Sequence, residues 1–193
     1  MYNIDKISAC KGNNMNYNIK IIDYWSSQHK DLYQGIAELT KSINDTYPQH
    51  DTWLREKFFP GLKDGSRKMV VICNEHDLSH PMGISLLKDT EDEKKICCLF
   101  VREDCRGNGI GSVLMQKSCE VLKTDKPLIT VSNRNLSQLQ RLLDKNNFTF
   151  SYRKKGAYQE NDTENYFNNK ATEILKTDIL PALLASKLRR DKD

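Results

Sequence analysis

Long hydrophobic runs are missing from this 193-residue chain. The longest, Ile96 to Val101 and Ile179 to Ala185, fall far short of the roughly 18–20 residues a membrane helix needs. Met1 to Asn18 is polar and rich in Asn, with no apolar core of a signal peptide. Glycine and proline are scarce, at nine and five, which excludes a collagen-like chain. Charge of one sign is nearly absent: 30 Lys and Arg against 26 Asp and Glu leave +4. No basic and aromatic strand pattern accompanies it, so a nucleic-acid binder is not expected. The six cysteines, Cys10, Cys73, Cys97, Cys98, Cys105 and Cys119, form no Cys-x-x-Cys pair and have no His at ligand spacing. We therefore expect no metal site, and reduced thiols in a cytoplasmic protein.

What is there is a clustered apolar pattern in one domain's length. The hydrophobic share, 38%, is low, but its clustering supports a modest core. Residues 1–16 read as a flexible lead. Asn18 to Trp25 reads as a strand, and Ser27 as the cap of a helix carrying Leu32, Ile36, Leu39 and Ile43. Asp51 is expected to cap a short helix with Trp53, Leu54, Phe58 and Phe59, ended by Pro60-Gly61. Three strands follow, Lys68 to Asn74, Met82 to Lys88 and Lys94 to Val101, with short turns that predict antiparallel pairing. The third is apolar on both faces and is expected to be central and covered on both sides.

Beyond it come a helix from about Ile110, a strand Pro127 to Ser132, and a helix capped by Asn133 or Asn135 and stopped at Asn146-Asn147. Phe148 to Tyr152 and Asn165 to Phe167 read as final strands, and Thr177 to Arg190 as an amphipathic helix. The strand–helix–strand unit over 94–132 is expected to be parallel. The whole predicts an α/β fold with a mixed sheet: a domain over 17–169 and a helical extension over 170–193. The stripe Leu180, Leu184 and Leu188 leaves two readings open, packing on the sheet or a contact with a second subunit in a homodimer, of which we expect the second.

The chemistry-bearing segment is Arg106-Gly107-Asn108-Gly109-Ile110-Gly111-Ser112, between an apolar strand and a helix. Glycines let a backbone approach a ligand, and several N–H groups joined by a helix's positive end suit a diphosphate. The residues alone leave two readings open, a phosphate seat or a tight turn without a ligand. The spacing is neither a dinucleotide fingerprint nor a P-loop, since Gly111-Ser112 lacks the lysine.

Arg106-x-x-Gly109-x-Gly111, after Leu99-x-Val101, resembles the acetyl-CoA signature of the GNAT N-acetyltransferases. Pro81-Met82-Gly83, Pro127 to Val131 and Leu142 to Phe148 agree with it. The resemblance implies a splayed sheet, with acetyl-CoA in a V-shaped opening between strands 94–101 and 127–132. It implies that the backbone of Leu99 and Val101 holds the pantetheine arm and that amides from Arg106 to Ser112, namely Arg106, Gly107, Asn108, Gly109, Ile110, Gly111 and Ser112, hold the pyrophosphate, with Asn133 counted among the coenzyme-binding residues. A backbone N–H near Val101 would polarise the thioester carbonyl. A primary amine, of a small molecule or a protein, would attack directly in a ternary complex.

Proton transfer is less settled. Where some family members carry a glutamate this chain has Lys95, and where many have a tyrosine it has Leu143. Glu93 is a fallback base; Tyr152 or Tyr158 could replace the tyrosine; water could serve. These departures also motivate an alternative, a non-catalytic acyl-CoA-binding protein on the same scaffold. Cys97 and Cys98 read as small packed hydrophobes rather than acyl carriers. His50, Asp51, Trp53 and Arg55 fall in the helical region that covers the acceptor side in the family.

Overall fold

The computed structural model describes residues 4–5, 17–24, 26, 29–74 and 77–169. The expected C-terminal helix and its leucine stripe lie outside the described residues, as does Ser27. The elements in chain order are β1 (Ile4–Asp5), β2 (Asn18–Ile22), α1 (Lys30–Leu39), a 3-10 turn (Lys41–Asp45), α2 (His50–Trp53), a π turn (Leu54–Phe58) and α3 (Phe59–Gly61). Then come β3 (Arg67–Cys73), β4 (Gly83–Asp89), β5 (Lys94–Val101), α4 (Ile110–Leu122), β6 (Leu128–Ser132), α5 (Asn133–Lys145), β7 (Phe150–Lys155) and β8 (Thr163–Phe167). One mixed sheet runs in the order β1-β2-β3-β4-β5-β6-β8-β7. The antiparallel run β3-β4-β5 and the parallel β5–β6 pair follow the expected pattern.

Alternation along β3 explains the layers. Val70 and Ile72 join one core with Ile110, Leu114 and Met115 of α4. Met69 and Val71 join the other with Leu32 and Ile36 of α1 and with Leu54 and Phe58. A strand buried on both faces reads as a continuous apolar run because each neighbour faces a different core.

β5 departs from this rule. Ile96, Leu99 and Val101 face α4, while Cys98 and Phe100 face the α1 side. The parity switches because Leu86 pairs with Cys98 and Leu87 with Ile96, leaving Cys97 as a β-bulge. β5 is central, but Cys97 to Val101 are all half-buried rather than covered.

Several boundaries correct the sequence reading. α1 starts at Lys30 after His29, and Ile43 falls in the separate 3-10 turn. Asp51 sits inside α2 and caps nothing; its N–H meets Asn44 Oδ1 at 3.4 Å. The helical run ends at Pro60-Gly61 as expected, but Pro60 reshapes it. Its missing N–H cannot return to the Glu56 carbonyl, and the chain carries the widened π turn just before it. α5 is capped by Ser132, whose Oγ accepts from Arg134 N at 3.1 Å, rather than by Asn133 or Asn135. Its stop is as expected: Asn147 adopts φ 56°, and Phe148 N bonds Leu143 O at 3.0 Å. β7 runs later than expected, over Phe150–Lys155, and β8 inserts between it and β6.

Candidate functional site

β5 and β6 pair only at Lys95–Leu128 and Ile96–Ile129. Beyond those two rungs they diverge, and β6 takes its other partner from β8. The gap opens into a cavity of about 1340 Å³. One wing is walled by the glycine turn and by Arg134, Gln138 and Leu142 of α5; the other by Tyr47, His50, Trp53 and Tyr158.

On the first wing, Gly107 and Gly109 hold φ of 79° and 81°, a region costly for side-chain-bearing residues. Among the described residues the amides of Gly107, Asn108, Gly109, Ile110 and Gly111 have no partner, whereas Arg106 N bonds Glu103 O and Ser112 N bonds Gly109 O. Five donors at the positive end of a 13-residue helix are suited to an anion. Space remains beside it: a Cβ on Gly111 would meet nothing closer than 3.7 Å.

Eight of the ten coenzyme-binding residues expected from sequence line the cavity: Leu99, Val101, Arg106, Gly107, Gly109, Ile110, Gly111 and Ser112. Asn108 instead braces the turn, its Nδ2 donating to Cys105 O and Arg106 O at 3.3 and 3.2 Å. Asn133 is turned to Asn165, whose Nδ2 donates to its Oδ1 at 2.9 Å, and its neighbours Arg134 and Asn135 face the cavity. Arg106 folds back: Nε donates to Val101 O at 3.1 Å, and the guanidinium lies 5.7 Å from the Phe100 ring centre.

The second wing carries titratable groups. Lys95 and Glu164 both lie on the α1 side of the sheet, with Thr130 and Tyr166, by the register of β6 and β8. Lys95 Nζ donates to Tyr158 Oη at 3.4 Å. Tyr47 Oη donates to both oxygens of Glu164, at 3.0 and 3.2 Å, and accepts from Ser132 N at 3.2 Å. Glu164 is 4% exposed. Burial pushes its carboxyl above the usual carboxylate range, against the pull of hydrogen bonds from Tyr47 and Thr130. His50 is buried and its pKa is lowered, chiefly by desolvation. Thr40 Oγ1 donates to Ile36 O at 2.8 Å, so His50 Nε2 donates to Thr40 Oγ1 at 3.0 Å.

The fallback groups lie elsewhere. Glu93 pairs with Lys88 at 2.8 Å and does not line the cavity. Tyr152 stacks on Tyr166 with ring centres 4.4 Å apart. Leu143 is fully buried core. Tyr158 is half-exposed at the rim. Cys97 and Cys98 do line the cavity, but burial pushes the Cys98 thiol up to about 12 and raises Cys97 as well, so neither is poised as a thiolate. Among the described residues no His, Cys, Asp and Glu cluster could hold a metal ion, and no helix is long and apolar enough to cross a membrane. Sequence reasoning missed Tyr47 and Glu164. The signal for Glu164 was the alternation over Thr163–Phe167, which puts Glu164 and Tyr166 on the face opposite Phe167.

The architecture is thus an open mixed sheet whose parallel pair parts beside a glycine-rich helix start. The model of the acetyltransferase (GNAT) family matches residues 31–141, over half of the chain, and the chain belongs to that family. No curated protein matches it significantly. Among solved structures, it is similar to a putative GNAT-family acetyltransferase from Desulfovibrio desulfuricans at 12% identity and TM-score 0.58, covering 78% of this chain and 96% of that one. It is similar to a NatC complex bound to Gag peptide and CoA at 15% identity and TM-score 0.58, covering 77% and 96%. A match to nourseothricin acetyltransferase, at 17% identity and TM-score 0.47, covers 54% of this chain and 65% of that one. The first two likenesses, each at TM-score 0.58, show the fold.

Proposed function

We propose that this protein transfers an acetyl group from acetyl-CoA to a primary amine by direct attack in a ternary complex. The observation that carries the reading is the row of five unpartnered amides at 107–111, a fit for the coenzyme's diphosphate. The size of the opening, about 1340 Å³, supports it. A single small-ligand site is commonly about 300–1,000 Å³, so two substrates can lie here side by side. Leu99 and Val101, on the strand edge that β6 leaves unpaired, orient the pantetheine arm. Arg106 swings from Phe100 to the phosphates, which frees the Val101 carbonyl. Gly107, Asn108, Gly109, Ile110, Gly111 and Ser112 supply or shape the phosphate seat; Asn133 acts through the bracing of β8 rather than by contact.

Acetyl-CoA supplies the thioester, and the chain's own main-chain donors near Val101 and the bulge at Cys97 stabilise the carbonyl oxygen as charge develops on it. Lys95 donates to Tyr158 Oη, which leaves the tyrosine hydroxyl free to protonate the departing thiolate. Residues 17–169 form the transferase domain, and the free thiols of Cys73, Cys97, Cys98, Cys105 and Cys119 fit a cytoplasmic setting. Calorimetric titration with acetyl-CoA tests the reading: saturable binding is expected, and none at millimolar ligand refutes it. Thiol release over a panel of amines then identifies the acceptor.

A further inference from the structure

A carboxylate inside a protein is costly unless it is paired or has work to do. Glu164 is 4% exposed, and among the described residues no Lys or Arg nitrogen lies within ion-pair distance of it. Its hydrogen-bond partners are hydroxyls, Tyr47 at 3.0 and 3.2 Å and Thr130. A glutamine would hold the same tyrosine without a buried charge. Tyr47 links this carboxylate to the cavity: its ring lines the large opening and also walls the small void in which Glu164 sits. The Ser132 amide donates to Tyr47 Oη, so the hydroxyl proton is committed to Glu164 and a lone pair remains on the oxygen. Thr130, Glu164 and Lys95 share the sheet face that the acceptor wing covers.

We propose that Tyr47 and Glu164 together accept the proton of the attacking amine, Tyr47 as the catalytic residue in contact with the nitrogen and Glu164 as the positioning and proton-storing residue behind it. The inference rests on the acetyltransferase reading above. The amine nitrogen forms a bond to the thioester carbon. Its proton passes to Tyr47 Oη as the hydroxyl's own proton passes to Glu164. The carbon–sulfur bond breaks with its electron pair on sulfur, and Glu164 returns its proton to solvent through Tyr47 after release. Lys95 on β5 and Asp162 just before β8 act on this carboxylate by charge; Tyr166 lies on its own strand, Lys154 is paired opposite it on β7, Tyr158 walls the same small void, and Arg134 on α5 pairs with Asp162. Burial raises Glu164, toward the range where a general base is effective at neutral pH.

The test uses the full chain with acetyl-CoA and four probe amines: spermidine, glucosamine, lysine and an alanine-headed hexapeptide. With whichever amine the wild type acetylates, Glu164→Gln and Tyr47→Phe are each expected to lower kcat about 10²-fold. They should flatten the acidic limb of the kcat/KM profile and leave the KM for acetyl-CoA unchanged; Glu164→Asp should restore part of the rate. Variants within twofold of wild type, with the acidic limb intact, overturn the inference while the acetyltransferase reading stands. No turnover of any amine by the wild type removes both. A second readout needs no turnover. In protein labelled with carbon-13 glutamate, the side-chain carbonyl signal lost in Glu164→Gln should titrate above the ordinary glutamate range and shift higher still in Tyr47→Phe. Titration in the ordinary range, unmoved by Tyr47→Phe, overturns the proposal.

Discussion

Gly109 opens α4 at φ 81°, and Gly65, in the turn between α3 and β3, holds φ 77° with nothing within 4 Å of a built Cβ. The two positions impose the same backbone demand, but only Gly109 belongs to the proposed phosphate seat. An alanine in the left-handed region costs about 1–2 kcal/mol. At Gly65 that cost has one place to appear, the stability of the free protein. Gly65→Ala should therefore lower the melting temperature by a few degrees, at about 2–4 °C per kcal/mol for this chain length, and leave acetyl-CoA affinity unchanged.

At Gly109 the same strain is divided. If the turn relaxes in the free protein, its amides rotate away and stability changes little. The coenzyme then has to restore the left-handed turn, and the whole 1–2 kcal/mol enters binding as roughly a 5–30-fold weaker Kd. If α4 holds the turn in place, stability falls as at Gly65, and the new methyl group still intrudes where the backbone must approach a diphosphate. Calorimetric Kd values and melting curves on both variants decide the matter. Gly109→Ala with unchanged acetyl-CoA affinity and a melting shift equal to that of Gly65→Ala would show that the turn is only a connection, and the reasoning would fail.

Lys123 ends α4 at φ 53°, with Thr124 N bonded to Cys119 O at 3.1 Å; Lys123→Gly removes a left-handed penalty of about 1 kcal/mol and should raise the melting temperature by about 2–4 °C, whereas a lower value would contradict the cap geometry. His50 and His29 both have pKa values lowered by burial from 6.5. Their contribution to stability is therefore complete above about pH 6.5 and is lost as pH falls through their folded values. Melting temperature should drop between pH 7 and 5, and His50→Gln should reduce that slope; an unchanged slope would exclude His50 as a source. With its thiol pushed up to about 12, Cys98 should resist iodoacetamide at pH 7.5, and intact-mass spectra after incubation with acetyl-CoA should show no retained acetyl group; a stoichiometric adduct on Cys97 or Cys98 would instead support a covalent acyl-enzyme.

The parts of the fold legible in sequence were those where local pattern and tertiary environment agree. Lys68 to Asn74 read as a strand because Met69 to Ile72 is a compact apolar run, and Leu136, Leu139 and Leu143 share a helix face. The bulge at Cys97 left no trace because Ile96 to Val101 is apolar at every position; with no polar residue to mark a face, a parity switch is invisible. Ser132 was hidden as a cap by being also the last residue of β6. The glycine turn was legible because φ near 80° leaves few choices of residue. Glu164 was not, since its burial depends on tertiary partners, among them Ser132 across the sheet and Tyr47, 117 positions earlier. No local rule brings Tyr47, in the connection between α1 and α2, under a distant strand.

The same two irregularities that obscure the site in sequence account for its chemistry. Buried or half-buried main-chain groups need partners. After the two rungs at Lys95–Leu128 and Ile96–Ile129, the edge of β5 from Cys97 to Val101 turns such groups toward a gap instead of toward β6. A ligand that fills this gap has to be extended and must carry its own amide donors and acceptors, as the pantetheine arm does. At one end of the gap the amides at 107–111 suit an anion; at the other Lys95 and Thr130 line the cavity, with Tyr47 between it and Glu164. A long molecule with a diphosphate tail, an amide-bearing arm and a reactive head satisfies all three demands in that order. A compact ligand would meet the helix end alone and leave the strand edge unpaired. The length of the unpaired edge therefore argues for a coenzyme rather than a simple phosphate. Pyrophosphate should protect α4 against hydrogen exchange without protecting Cys97 to Val101, and acetyl-CoA should protect both.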